Sequence, residues 1–490
     1  MTRIWSSYQQ AIFDEVELKS GNILVEACPG SGKTTVIEEA IKRVPRNETV
    51  LAMAFNRHIR DELRSRLEHL PNVTVHTLNS FGNSLLSGWY KINARKVSNI
   101  LRYDVLDLSK GNYTKEKWKL FIQLARPVER LMGICKGHMV FTVEDLKSNW
   151  ERLANEYDIE APEDIDFFKY LLEVFEIDQK KTKVLDYDDQ IAIPLRKGTP
   201  IPQFDRVCVD EAQDLNPAKT ALASGAIRGC GYFVGDRKQS VYHFAGASSD
   251  SMDKILMELD AKPMPLSICY RCAKAIVRRA QQVFPDIEAW EGAPEGVEET
   301  ISVADFRSKA APGDVVLCRC TAPVVQAALW FIRNGIKAVV KGREIGKDLC
   351  DLIENLSQSD VVEDFLETLR VWYEAACEKC KEDDKQAMLD DKYETIRCVS
   401  LEFKSVQNVL NFFKDIFGDD DRTGITLMTG HKAKGLEARR VFILRPDLLP
   451  HKLAKSPEAL YGEKCLEFVM VTRAQEELYF VKDDSVNPGI

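Results

Sequence analysis

Short apolar runs alternate with amphipathic stretches over the first eighty residues. Ile23-Leu24-Val25 and Val50-Leu51-Ala52-Met53-Ala54 offer no polar side chain to solvent, so they suit central strands of a parallel sheet covered on both faces. A third strand is expected around Val73-Thr74-Val75. Between these runs lie helical patterns: Tyr8 to Val16, which Ser6 or Ser7 could cap, Thr34 to about Arg43, and a basic stretch after Phe55. Strand and helix in alternation predict an α/β fold with a doubly wound parallel sheet. The alternation stops after Phe81-Gly82. From about Asn83 to Lys183 the pattern is helical and charged, with Trp89, Trp118, Trp150 and scattered leucines expected to form a small core. Buried-strand runs return at Val207-Cys208-Val209-Asp210-Glu211 and at Gly231 to Asp236, and both end in carboxylates.

A second sheet is expected to begin near Pro265-Leu266-Ser267-Ile268 and to continue through Val315 to Cys318 and Ala338 to Val340. It resumes at Ile425 to Met428, Val441 to Leu444 and Leu478 to Val481, after a stretch rich in Glu, Lys and Asp with no β-branched runs. The expected organisation is a first lobe over 1–82 and 184–264 with a helical insertion at 83–183. A second lobe covers 265–358 and 421–490, with a short helical insertion at 359–420. At 490 residues, and with ~150 residues per domain, about three compact units fit.

No apolar stretch reaches membrane-spanning length, and Met1-Thr2-Arg3-Ile4-Trp5 runs straight into a polar, helix-forming segment, so no membrane association is expected. The expected location is the cytoplasm of a bacterial or phage-infected cell, or the nucleus in a eukaryote. Thirteen cysteines, an odd number without a secretory signal, argue for reduced thiols. The pairs Cys269/Cys272 and Cys377/Cys380 have no second pair nearby to complete a zinc site, so they read as structural thiols. A net charge of −9 weakens a nucleic-acid reading. Acid, however, is concentrated in runs such as Glu382-Asp383-Asp384 and Asp419-Asp420-Asp421, whereas Arg57, His58, Arg60, Arg64 and Arg66 cluster after a strand. A basic groove is compatible with that distribution.

The segment after the first strand, Ala27-Cys28-Pro29-Gly30-Ser31-Gly32-Lys33-Thr34-Thr35, carries the clearest chemistry. Gly30 and Gly32 let the backbone approach an oxyanion, and the helix that follows presents free N–H groups and its positive dipole end. Lys33 would reach the β and γ phosphates and the Thr34 hydroxyl would hold Mg²⁺, although Ala27 stands where the usual pattern has Gly. Hydrolysis of a phosphoanhydride also needs a metal ligand and a group that orients water. Asp210 and Glu211, at the end of a buried strand, suit these two roles, so a nucleotide triphosphate with Mg²⁺ is expected.

Asp210-Glu211-Ala212-Gln213-Asp214, Val234-Gly235-Asp236-Arg237-Lys238-Gln239-Ser240-Val241-Tyr242-His243-Phe244-Ala245-Gly246-Ala247 and Tyr270-Arg271 resemble successive motifs of the superfamily 1 helicases of the UvrD/Rep type. Thr429-Gly430-His431-Lys432-Ala433-Lys434-Gly435-Leu436-Glu437 is similar to the fifth motif and Val469-Met470-Val471-Thr472-Arg473-Ala474 to the sixth. The resemblance implies two RecA-like P-loop lobes with parallel sheets, each interrupted by a mainly helical insertion. It implies that ATP is the nucleotide, that Gln239 senses its γ phosphate and that Arg271 and Arg473 act as arginine fingers. Tyr270 would stack on the base, Glu437 would contact the ribose, and Gln9 or Gln10, with Gln9 preferred, would read the adenine edge.

For the strand, the resemblance points to Phe55, Arg57, Thr77, Asn79, Phe81, Tyr242, Phe244 and His431, since single-stranded nucleic acid takes cationic tracks with aromatic faces. Ala245 stands where Arg is usual, Asn79 where His is common, and Thr35 where Arg is frequent. The expected activity is ATP-dependent translocation on single-stranded DNA and duplex unwinding, with 3′ to 5′ polarity resting on the family alone. Alternatives are a DNA-stimulated ATPase that remodels protein–DNA complexes without unwinding, and a nucleotide-gated binding module. Expected partners are single-stranded DNA, single/double-strand junctions and replication or recombination proteins, with a monomer as the working unit.

Overall fold

In the computed structural model, residues 4–109, 112–157, 159, 161–162, 164–240, 251–357, 359–380, 383–418 and 424–482 are described. The chain divides into two compact units, Met1–Ala27 with Gly32–Leu266, and Cys28–Ser31 with Ser267–Ile490.

The first unit is built on a six-stranded sheet. Its strands are β1 (Ile23–Ala27), β2 (Val50–Ala54), β3 (Val73–Thr77), β4 (Phe204–Asp210), β5 (Ile227–Gly235) and β6 (Lys262–Leu266), in the order β3-β2-β4-β5-β1-β6. Every pairing is parallel, with Leu24 opposite Phe233 and Met53 opposite Val209. Apolar side chains cover both faces, so all five positions of β2 are buried. That is why the sequence shows continuous apolar runs rather than alternation. Helices α1 (Ser7–Leu18), α2 (Lys33–Lys42), α3 (Arg57–Leu67) and α4 (Leu78–Ser84) follow one another around this sheet. Ser6 caps α1: its hydroxyl accepts from the Gln9 N–H, and the Gln9 side chain accepts from the Ser6 N–H.

Pro265 to Leu266 belong to this first sheet, not to the start of the second as the sequence suggested. Strand β6 is an edge, and Pro263 and Pro265 lie two residues apart, so their missing N–H groups fall on the unpaired side. Ile268–Cys269 instead pairs with Glu288–Ala289 in a separate two-stranded sheet.

The helical insertion of the first unit comprises α5 (Lys96–Asn99), α6 (Lys115–Gly137), α7 (Val143–Glu156) and α8 (Phe167–Lys180), followed by α9 (Asp189–Arg196) and, after β4, α10 (Pro217–Gly225). Its core is formed by leucines, Phe121, Phe167 and Phe175, with Trp118 and Trp150 packed at the margin. Trp89 contributes nothing to that core, because it is 83% exposed.

The second unit holds another six-stranded parallel sheet, β7 (Val297–Ser302), β8 (Val315–Cys318), β9 (Ala338–Val340), β10 (Ile425–Thr429), β11 (Ala438–Leu444) and β12 (Ala474–Lys482), in the order β7-β12-β11-β8-β10-β9. Helices Val362–Lys379, Asp383–Ser400 and Val406–Ile416 occupy the stretch between β9 and β10, where the acidic composition had predicted a helical insertion. Among the described residues no helix is long and apolar enough to cross a membrane.

Candidate nucleotide and strand sites

Strand β1 delivers the chain into the glycine-rich loop. Gly30 and Gly32 have φ of +70° and +83°, values that side chains other than glycine's rarely adopt. Gly30 has a second reason: a Cβ there would lie 2.5 Å from the Cβ of Arg271 and 3.0 Å from the Cys269 sulfur. Helix α2 starts at Lys33 with no side-chain cap, which leaves its first N–H groups for an outside acceptor. The Ser31 hydroxyl is buried and, among the described residues, has no hydrogen-bond partner. A buried orphan of this kind is costly unless a ligand completes it.

Lys33 Nζ lies 2.9 Å from Glu211 Oε2, and Gln213 Nε2 donates to the same oxygen at 2.5 Å. Gln213 Oε1 accepts from the Asp236 N–H at 2.9 Å, and Gln239 Nε2 donates to Asp236 Oδ2 at 2.6 Å. Asp210 completes the group, its Oδ1 accepting the Glu211 N–H at 2.9 Å. Six side chains from the ends of β4 and β5 and the start of α2 thus form one connected network. The ends of parallel strands are where α/β sheets bind ligands.

Burial, reinforced by the Glu211 charge, pushes the Asp210 carboxyl up to about 7. Burial also raises Asp236. For Lys33, burial works to lower the pKa, but the charges of Glu211, Asp210 and Asp236 outweigh it and hold the ammonium above its ordinary value. Three carboxylates around one ammonium leave room for a further cation. Glu211 itself has φ +52°, a left-handed conformation of the kind stored at functional sites at a cost of ~1–3 kcal/mol. The uncapped helix, the orphan Ser31 hydroxyl and the carboxylate excess together suit a phosphate group accompanied by a cation.

Gln9 is buried and folded into the α1 cap, whereas Gln10 is exposed and donates to Asp14 Oδ1 at 2.6 Å. In the second unit the Tyr270 ring is partly exposed, 6.1 Å from that of Trp290. Arg271 Nε lies 2.5 Å from Glu437 Oε2. Arg473 is not an exposed finger in this structure. It is 1% exposed, and its guanidinium donates to the Val469 and Leu436 carbonyls at 3.0 and 3.1 Å. Burial, with Arg319 adding to it, pushes His431 down to about 4, so its imidazole is neutral at pH 7.

At the first unit's strand ends, Phe55 is 37% exposed, with Lys219 Nζ 5.7 Å above its ring, and Arg57 is exposed beside it. Asn79 Nδ2 donates to the Tyr187 carbonyl at 2.7 Å. Two expectations need correcting. Phe81 is 3% exposed, packed against His76 and Phe204, so it has no face for a base. Thr77 is buried and its hydroxyl caps α4. Tyr242 and Phe244 lie outside the described residues. A residue that the sequence reading missed is Tyr187, 51% exposed and tied to Asn79. Its one signal was an aromatic set among Asp186, Asp188 and Asp189.

A family model for the UvrD/REP helicase N-terminal domain matches residues 8–259, and one for the UvrD-like helicase C-terminal domain matches residues 356–485. The chain belongs to the UvrD/REP helicase family. The first match contains the whole Lys33–Glu211–Asp236–Gln239 network. A probable DNA helicase II homolog of Mycoplasma pneumoniae is 25% identical over 381 residues, 70% of this chain and 50% of that protein. The ATP-dependent DNA helicase Rep of Buchnera aphidicola is 25% identical over 299 residues, 55% of this chain and 44% of that protein. An 84-residue segment is 39% identical to the ATP-dependent DNA helicase PcrA of Staphylococcus aureus, covering 15% of this chain and 12% of that protein. The chain spans half or less of the length of these relatives.

Proposed function

We propose that this UvrD/REP family member is an ATP-driven translocase on single-stranded DNA that unwinds duplex with 3′ to 5′ polarity. The observation that carries the reading is the connected network from Lys33 through Glu211 and Gln213 to Asp236 and Gln239, beside an uncapped helix N-terminus. Lys33 exchanges its contact with Glu211 for the β and γ phosphates when nucleotide enters, which frees Glu211 to orient the attacking water. Gln213 holds that carboxylate in place. Gln239, tethered to Asp236, sits where loss of the γ phosphate changes its hydrogen bonds. Thr34 and Asp210 would hold Mg²⁺, which would supply charge against the phosphate oxygens. Arg271 and Arg473 add positive charge to the departing phosphoryl group, and Arg473 must give up its carbonyl contacts to do so. The adenosine end belongs to Tyr270, Gln9 and Glu437.

Phe55, Arg57, Asn79 and Lys219 form a strand surface of the cation-and-aromatic type that single strands favour. The substrates are single-stranded DNA and its junctions with duplex, replication or recombination proteins are the partners, and the working unit is a cytoplasmic monomer. The test is strand separation on partial duplexes with 3′ or 5′ tails, alongside ATP turnover. Unwinding from 3′ tails is expected. DNA-stimulated turnover without strand separation would replace the helicase with a remodelling ATPase, and ATP binding without turnover would leave a nucleotide-gated binding module.

A further inference from the structure

Three carboxylates and two ammonium groups meet where the helical insertion joins the sheet of the first unit. Lys136 Nζ, from α6, lies 2.6 Å from Asp186 Oδ2, 2.8 Å from Asp189 Oδ1 and 3.2 Å from Asp178 Oδ1. Lys96 Nζ, from α5, lies 2.6 Å from Asp189 Oδ2 and 2.9 Å from Asp178 Oδ1. All five side chains are buried. Carboxylates gathered this closely would suit a metal ion. Here the lysine ammoniums already stand among them as the counter-charges.

The carboxylates do more than pair with lysine. The Asp189 N–H donates to Asp186 Oδ1 at 2.8 Å and the Asp186 N–H to Asp189 Oδ2 at 3.0 Å, closing a reciprocal turn at the start of α9. Only Tyr187 and Asp188 lie inside that turn; Tyr187 is exposed, whereas the Asp188 carboxylate lies so close to α6 that a Cβ at Gly133 would be 3.1 Å from its Oδ2. From the side, Asn79 of α4 holds the Tyr187 carbonyl. A Cβ at Gly82 would collide with the Gln190 carbonyl oxygen, so α4 and α9 meet backbone to backbone. The turn is therefore fixed behind by the insertion's lysines and beside by the helix that carries Asn79.

Buried ion networks of this kind are poor sources of stability compared with apolar packing of the same volume, but they admit few alternative geometries. Apolar residues would have filled the space; they would not have set the turn's position. We propose that Lys136, assisted by Lys96, is a positioning residue for strand engagement, through which the helical insertion fixes the turn presenting Tyr187 beside Asn79. This rests on the single-stranded DNA reading above, and it gives the insertion a task that neither its composition nor its helices declare.

The test uses the full chain, a fluorescein-labelled oligothymidylate and fluorescence anisotropy, with basal ATP turnover measured in parallel. Lys136→Met is expected to weaken oligonucleotide binding at least tenfold while basal turnover and ATP affinity stay within twofold. Lys136→Met combined with Asp186→Asn removes one charge of each sign, which protects folding, and the same loss of strand binding is expected. Tyr187→Ala closes a double-mutant cycle: if Lys136 acts through the turn, Lys136→Met adds little to the loss that Tyr187→Ala causes alone. Undiminished strand binding in the folded, charge-balanced variant would overturn the proposal. So would equal losses of strand binding, ATP affinity and basal turnover, which a merely structural lysine would produce. If the parental protein binds no oligonucleotide, the DNA reading fails and this proposal with it. Parental binding that the variants retain removes this proposal alone.

Discussion

Replacing Asp210 with Asn should abolish ATP hydrolysis and yet make the metal-free protein more stable at alkaline pH. Asp210 is buried, and burial together with the Glu211 charge moves its carboxyl from an ordinary 3.8 up to about 7. A carboxyl whose folded value stands above its unfolded value takes up a proton on folding, so its contribution to stability falls as pH rises from about 4 through about 7. A shift of about three units sets a ceiling of ~4 kcal/mol on the destabilisation at pH 8. An asparagine keeps the oxygen that accepts the Glu211 N–H at 2.9 Å. Its amide hydrogens enter a buried site without an assured acceptor, which returns ~1–3 kcal/mol. The expected net gain is about 1–3 kcal/mol at pH 8 and falls by ~2–3 kcal/mol, to about zero, at pH 5, where the folded parental carboxyl stays protonated. Urea unfolding followed by circular dichroism in EDTA, at pH 8 and pH 5, measures both. A variant less stable than the parent at pH 8, or a gain of equal size at the two pH values, would refute the reasoning.

Lys33→Ala should lower ATP turnover by at least ~100-fold, since it removes the cation nearest the transferring phosphoryl group, and turnover within a few-fold of the parent would contradict the site. Phe55→Ala should weaken oligonucleotide binding by ~1–3 kcal/mol while basal ATP turnover holds, as read by anisotropy and steady-state kinetics. Gly82→Ala should cost ~1–3 kcal/mol or more in urea unfolding, because the obstacle is the Gln190 backbone rather than a flexible side chain. His431, held near 4 mainly by burial, contributes stability that is fully present above about pH 6.5 and is lost as pH falls toward 4. His431→Gln should therefore flatten the fall of the melting temperature across that window, and an unchanged slope would place the titration elsewhere.

The strands that lie deep in each sheet were legible because burial on both faces leaves an unbroken apolar run, as in β2 and residues 441–444 of β11. Edges were not. Strand β7 has Glu298 and Glu299 exposed, and β6 carries two prolines, so neither shows the signature of a central strand. The glycine-rich loop and the Asp210-Glu211 pair could be read because local spacing alone defines them. Phe55 and Phe81 could not be told apart, since both are aromatics following a strand and only tertiary packing leaves one exposed and buries the other. Tyr187 and the Lys96–Lys136 cluster were invisible for a related reason. Their partners are drawn from α5, α6, α8 and the start of α9, and no sequence spacing marks charges that meet only after folding.

The central claim is that the Lys33–Glu211 network hydrolyses ATP in step with a bound strand. The most direct measurement is steady-state ATPase activity with and without single-stranded DNA, single-stranded RNA and duplex DNA, with Glu211→Gln as the blank. Strong stimulation by single-stranded DNA is expected in the parent and none in the variant. Turnover that single-stranded DNA leaves unchanged, or that does not rise above the blank, would contradict it.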